Sequence, residues 1–369
     1  MRARLDAAAS DREHFEASQM WQQELFDGGW AGIAWPAEHG GRGGTPAQAA
    51  RFAQEQATFS VSAGFVASTI GMVGPVLLRH GTDAQRERFL RPLLRADEVW
   101  CQLFSEPAAG SDLANLATRA VREGDEYVVN GQKVWTSNAH LCDFAILLAR
   151  TNIDAPKHRG ITFFVVDLHT PGIEVRPLRQ ITGAAHFNEV FLTDVRIPAE
   201  NVVGEVDAGW GPARAVLAAE ASVIGGGNAA ASGAGDLIEL ARKVGRNGEP
   251  ILRQRLADAY AREQILRYLK ERLQASVRAG GRPAIDGSVM KVLWAEARRD
   301  RAGLGVALLG ADGALLTDWP LQLLGYFSGT IGGGTSEVHR NMIGERVLGL
   351  PAEPRVDADL PYRELATRG

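Results

Sequence analysis

The limit on the fold comes from a change of texture along the chain. Between Trp100 and about Glu205 the sequence is written in short β-branched and aromatic runs, Tyr127-Val128-Val129, Phe144 to Leu148, Ile161 to Val166, Ile173 to Val175 and Val190 to Leu192, the signature of strands. On either side the periodicity is helical. From Arg2 to about Val99 it is punctuated by turn residues at Asp27-Gly28-Gly29, Glu38 to Gly44 and Gly81-Thr82. After Gly209-Trp210-Gly211 long helical segments return, one with Met290, Leu293, Trp294, Ala297 and Leu304 at helical spacing. The order is α, β, α: an α+β chain with an N-terminal helical lobe over 1–99, a middle β domain over 100–205 and a C-terminal helical domain over 206–369. Asn130-Gly131 stands between Tyr127-Val128-Val129 and Lys133-Val134-Trp135, and because both residues tolerate positive φ a tight hairpin is expected there. The glycines at 225–227 and 332–334 follow no fixed period, so no repeat array is indicated.

Composition removes several classes of function. The chain has 369 residues, 40 basic against 44 acidic, and a net charge of -4. Without a long basic stripe it is not expected to bind nucleic acid, and an anionic ligand would need local positive groups. Its two cysteines, Cys101 and Cys142, fit no metal-ligand spacing and no disulfide framework, so reduced, packed thiols and no metal are expected. Met1 to Ser10 lacks an apolar leader core, and no apolar run approaches the roughly 20 residues that span a bilayer. A soluble, cytoplasmic protein follows as the expectation.

Two segments in the β region carry chemistry. Phe104-Ser105-Glu106-Pro107-Ala108-Ala109-Gly110-Ser111-Asp112 is a polar, glycine-bearing loop able to offer backbone N–H groups, although the same residues read equally as a helix start capped by Ser111 or Asp112. About twenty residues on comes Gly131-Gln132-Lys133-Val134-Trp135-Thr136-Ser137-Asn138, whose tryptophan alone would be taken for core. Together, in a β domain between α lobes, the two segments resemble the signature of the acyl-CoA dehydrogenases. The likeness extends over Gly29 to Pro36, Gly160 to Pro198 and Gly332 to Pro351, nearly the whole chain.

The resemblance implies the fold of that family, with an N-terminal α lobe, a central β-barrel-like domain and a C-terminal helical bundle, and it implies FAD as cofactor. Carried over by position, Gln102, Leu103, Phe104 and Ser105 would line the flavin ring, Trp135 and Ser137 would close over it, and Ser111 would meet the CoA end of the substrate. Arg242 or Arg246, with Gln254, falls where the family contacts the FAD pyrophosphate and adenosine, often across a subunit interface. The inserted Asn247-Gly248-Glu249-Pro250 leaves that register open, and Arg246 reads equally as a solvated loop charge. Gly332-Gly333-Gly334-Thr335-Ser336-Glu337 is similar to the late flavin-binding turn, while Thr335 also reads as the N-cap of a helix through Val338, Met342 and Val347; an N-terminal helix end suits an oxyanion, so both readings are compatible.

Many members place the catalytic glutamate in that late turn, where this chain has Gly333. A branch of the family takes its base from an earlier helix, and there Leu217-Ala218-Ala219-Glu220-Ala221-Ser222 offers Glu220 among small apolar residues, where desolvation would raise its pKa into a useful range. The alternative is an exposed helical glutamate. Members usually follow this position with an arginine, and here it is Ala221. The implied reaction is α,β-dehydrogenation of an acyl-CoA to the trans-2-enoyl thioester: Glu220 takes the α proton, the β hydrogen passes to the flavin, and the backbone N–H of the Gly333 turn helps polarise the thioester carbonyl. Electrons would leave through an electron-transferring flavoprotein, and the assembly would be a homotetramer or a heterotetramer with a related chain. Two rivals stand beside this reading. Ala221 and a helical lobe shorter than the family's usual one fit a partner subunit whose active site lies elsewhere, and the same fold also hosts flavin oxidases and monooxygenases.

Overall fold

The computed structural model describes residues 11–57, 59, 64–226, 233–278, 287–355 and 357–366. The expected helical start from Arg2 to Ser10 lies outside the described residues, as does the side chain of Ala221. The chain divides into two compact units, one of Met1–Gln180, Ala184–Ala219 and Pro354–Gly369 and the other of Ile181–Gly183 and Glu220–Glu353.

Among the described residues of the first unit, four helices precede the sheet: α1 Asp11–Asp27, α2 Pro46–Ala57, α3 Gly64–His80 and α4 Asp83–Arg95. Helix α4 starts where it does because Thr82 and Gln85 cap each other's backbone N–H groups at 3.1 and 3.0 Å. The Gln85 amide also donates to the carbonyls of Glu200 and Val202, which fixes the helix start to the chain leaving the sheet. Its apolar face carries Phe89, Leu90, Leu93 and Leu94 into the core. There Trp100, fully buried, stacks on Phe144 at 5.2 Å and meets the edge of Phe89 at 5.3 Å. Helical lobe and sheet therefore share one continuous hydrophobic core.

Strands β1 Trp100–Leu103, β2 Arg119–Glu123, β3 Glu126–Ser137, β4 Phe144–Arg150, β5 Ile161–Asp167, β6 Ile173–Leu178 and β7 Phe187–Pro198 form a seven-stranded sheet in the order β1-β4-β2-β3-β7-β6, with β5 added on β4. Ala145 to Arg150 of β4 and Ile161 to Val166 of β5 are all buried. Both faces are covered there, which is why these segments read as unbroken apolar runs.

The hairpin is not where the dipeptide signal puts it. Glu123 pairs with Glu126, so the two-residue turn between β2 and β3 is Gly124-Asp125, with Gly124 at φ +64°. Asn130-Gly131 lies inside β3 at a break in register against β7. The Asn130 amide exchanges hydrogen bonds with Asp194 at 3.0 and 2.9 Å. Gly131 is required by proximity, since a Cβ there would sit 2.3 Å from Thr118 Oγ1. These residues make a bulge in a long strand pair.

The last part of the first unit, up to Ala219, includes most of α5 Trp210–Gly226; α12 Tyr362–Ala366 closes it. The second unit contains α6 Ala234–Lys243, α7 Pro250–Arg278, α8 Gly287–Leu309, α9 Asp318–Gly325, α10 Phe327–Ile331 and α11 Ser336–Met342. Leu237, Ala241, Leu252, Leu256, Leu304 and Leu308 form its core. The expected stripe on α8 is rotated: Met290 and Leu304 are buried, Leu293, Trp294 and Ala297 are only half-buried, and the inner face instead takes Lys291, Val292 and Ala295. Lysine inside and leucine at the margin is what periodicity alone cannot foresee. Among the described residues no helix is long and apolar enough to cross a membrane, and Cys101 and Cys142 are both buried and free.

Candidate active site

In the first unit the segment Gln102 to Ser105 runs off the end of β1. Leu103 and Phe104 are core residues, so only their backbone is available to a ligand, whereas Gln102 and Ser105 are half-buried. The segment is held by β3: Val134 N donates to Ser105 O at 2.9 Å, and Lys133 Nζ donates to Phe104 O at 3.0 Å and to Glu106 Oε1 at 2.7 Å. Glu106 also accepts the N–H groups of Ala117 and Thr118 at 2.7 and 3.0 Å. Burial alone would raise the pKa of Glu106, but the Lys133 charge and these donors outweigh it and hold it below the usual carboxylate range. Glu106 and Lys133 carry no role in the sequence reading, and their opposite charges within the two singled-out segments were the available signal.

The same strand presents Trp135. A second break in register, between Lys133 and Thr136, turns its indole outward: it is 61% exposed at φ +61°, touched at its edge by Phe187 at 5.9 Å. A left-handed non-glycine residue holding a large apolar ring in solvent departs from both backbone and burial preference. Ser137, half-buried, has no hydrogen-bond partner for its hydroxyl among the described residues. Ser111 is exposed. No capping bond forms at Asp112, which precedes a three-residue 3-10 turn and pairs instead with Lys157 at 2.9 Å.

The second unit holds the other expected residues. Gly333 and Gly334 have φ of +65° and +90°, a pair of left-handed positions that only glycine adopts without strain. Thr335 caps α11, its hydroxyl accepting Val338 N at 3.2 Å. The N–H groups of Gly333, Gly334 and Thr335 meet no acceptor among the described residues, whereas the carbonyls are tied down: Gly333 O to His339 Nε2 at 2.9 Å and Gly334 O to the Lys291 ammonium. Successive free N–H groups around left-handed residues are suited to an electron-rich atom. Glu337 projects into solvent and pairs with Arg340. Glu220 is half-buried on α5. Glu337 and Glu220 both act on Lys291, opposing the desolvation that lowers its pKa. The apolar setting read around Glu220 thus contains a cation that local sequence does not reveal.

The two arginines differ. Arg246 is committed: it forms a forked pair with Glu249 at 2.5 and 2.9 Å and donates to Ala307 O at 2.6 Å at the C-terminal end of α8. Arg242, at the end of α6, is exposed and has no side-chain partner among the described residues. Gln254 is exposed on α7.

Models of the acyl-CoA dehydrogenase N-terminal, middle and C-terminal domains match residues 2–97, 101–195 and 207–348. The chain belongs to the acyl-CoA dehydrogenase family. It is an oxidoreductase of that class, similar to acyl-CoA dehydrogenase IpdE1 of Mycobacterium tuberculosis, 38% identical over 95% of this chain and 92% of the relative. Among solved structures it resembles a chain of the Tcur3481-Tcur3483 steroid ACAD, with a TM-score of 0.77, 30% identity and coverage of 92% and 90%. It also resembles one of the ChsE4-ChsE5 complex from Mycobacterium tuberculosis, with a TM-score of 0.78, 30% identity and coverage of 96% and 94%. The family's cofactor is FAD, and groups within each unit suit it by their chemistry. An exposed indole suits a flat conjugated ring, and the free Ser137 hydroxyl and the three free N–H groups suit the polar edge of a flavin or a thioester oxygen.

Proposed function

We propose that this protein catalyses the FAD-dependent α,β-dehydrogenation of an acyl-CoA thioester with Glu220 as base. One observation supports the proposal: Lys291, which donates to the Gly334 carbonyl of the late turn, is also acted on by the charge of Glu220, so the candidate base and the candidate oxyanion turn bear on the same lysine. Glu220 removes the α proton as the C–H pair becomes part of the new double bond. The turn N–H groups stabilise the charge that develops on the thioester oxygen. FAD, when bound, accepts the β hydrogen as hydride. The product is the trans-2-enoyl-CoA, and the electrons pass on to an electron-transferring flavoprotein. Gln102 to Ser105, Trp135 and Ser137 would hold the flavin ring, with Gly333, Gly334, Thr335 and Glu337 at the late turn and Ser111 at the CoA. For the FAD pyrophosphate, the exposed Arg242 is the better candidate, because Arg246 is already engaged; Gln254 would serve the adenosine end.

For the acyl group we favour a bulky, ring-bearing chain. Support comes from the base on the early helix and from the likeness to a structure named as a steroid ACAD. Anaerobic titration of the purified protein with straight-chain, branched and steroid-side-chain acyl-CoAs tests this. Bleaching of bound flavin by the bulky thioesters is expected, and bleaching only by straight chains would sink the substrate assignment. A second reading, a subunit that works only beside a related chain, is favoured by Ala221 and by the paired chains named in two similar structures. It predicts flavin retention only on co-expression with that chain.

A further inference from the structure

Lysine is rarely buried whole, and α8 buries Lys291 entirely. A fully buried ammonium is retained where its protons are used. Here one proton goes to the Gly334 carbonyl, and the charges that act on it are those of Glu337 on α11 and Glu220 on α5. On the other side of the same turn, His339, also buried, engages the Gly333 carbonyl at 2.9 Å. Two consecutive left-handed glycines are flexible by nature. Without fixed partners their peptide planes would rotate, and the N–H groups of Gly333, Gly334 and Thr335 would lose a common aim. A Cβ on Gly334 would stand 3.0 Å from the His339 ring, so the packing on that side is close.

We propose that Lys291 is a positioning residue for the late turn: by clamping the Gly334 carbonyl inward, opposite the His339 clamp on Gly333, it presets the turn's free N–H groups for the flavin and the thioester. The proposal rests on the reading of that turn as a cofactor and substrate site. It makes the lysine's hydrogen bond, rather than its packing, the property that matters. A preset donor array binds better because its ordering is complete before the ligand arrives.

The test compares Lys291→Met, which keeps length without a donor, with Lys291→Gln, which keeps a donor without charge. Each apoprotein is melted, then titrated with FAD by fluorescence quenching, and the visible spectrum of the bound flavin is recorded. Lys291→Met, which strands the Gly334 carbonyl, is expected to stay folded at a somewhat lower melting temperature and to bind FAD about tenfold more weakly or worse. Lys291→Gln is expected to restore affinity to within about threefold of the parent and to restore the parent's flavin band shape. Equal FAD affinity in Lys291→Met and parent overturns the proposal while leaving the functional reading intact. A Gln variant as weak as the Met variant overturns it too, as does failure of both variants to fold, which assigns the lysine to stability alone. A parent that binds no FAD removes the functional reading and the proposal together.

Discussion

Lys133 Nζ lies 2.7 Å from Glu106 Oε1, and both side chains are buried, at 0% and 7% exposure. Neither is a ligand candidate, yet their pairing joins the Phe104–Ser105 segment to the strand that carries Trp135. Removing one partner leaves an uncompensated buried charge, so Glu106→Gln or Lys133→Met alone is expected to cost about 3–5 kcal/mol of unfolding free energy. The double change Glu106→Gln with Lys133→Met is expected to recover much of it. Denaturant titration of the three variants measures this, and additive losses would show that the pair is not coupled.

The same pair sets an acid limit. The folded pKa of Glu106 is below its ordinary value of 4.5, so the unfolded chain binds the proton more readily. The pair's contribution is therefore complete above about pH 4.5 and disappears as pH falls through the lower folded value. The parent should lose stability through that window, and Glu106→Gln should show a flatter acid slope by thermal melting. Identical slopes would place the acid sensitivity elsewhere.

Trp135 is held at φ +61° with its indole in solvent. Glycine relieves a left-handed backbone, an effect on the order of 1–2 kcal/mol. Trp135→Gly should therefore melt at or above the parent temperature while losing roughly two- to tenfold in FAD affinity, since a ring-on-ring contact is worth about 0.5–1.5 kcal/mol beyond its area. Unchanged affinity would reduce Trp135 to a surface residue.

Glu220→Gln preserves shape and removes the base. Flavin content and melting should stay near the parent's, while anaerobic flavin reduction by a good acyl-CoA slows by about 10² to 10⁴. Reduction at the parent rate would remove Glu220 from the chemistry.

Along α7, Tyr260, Ile265 and Tyr268 are each about half exposed, at 52%, 51% and 53%. Exposed apolar side chains gathered on one helix mark an interface, so light scattering is expected to give a multiple of the 39.7 kDa chain mass, with a tetramer as the expected state, and Ile265→Asp is expected to lower it. A monomeric parent with full flavin content would contradict the tetramer.

The block order of helix, strand and helix was determined by sequence, because periodicity and β-branched texture are local properties that neighbouring residues write together. The strands read at Tyr127, Phe144, Ile161, Ile173 and Val190 all exist, and the resemblance in the Trp135, Ser105 and Thr335 segments led to the right family. Pairing was decided only by the tertiary structure. Asn130-Gly131 has the composition of a turn, but Asp194 on β7, 64 residues further on, takes the Asn130 amide, and Thr118 excludes a side chain at Gly131, so the dipeptide becomes a bulge and Gly124-Asp125 makes the turn. Arg246 reads in sequence equally as a cofactor cation or a solvated loop charge, and the pairing with Glu249 and the end of α8 comes only from the fold. Most of all, nothing local in Met290-Lys291-Val292 says that this lysine is buried against Gly334 rather than solvated. Charge burial depends on partners brought together by long-range packing, and a residue's neighbours in sequence do not contain them.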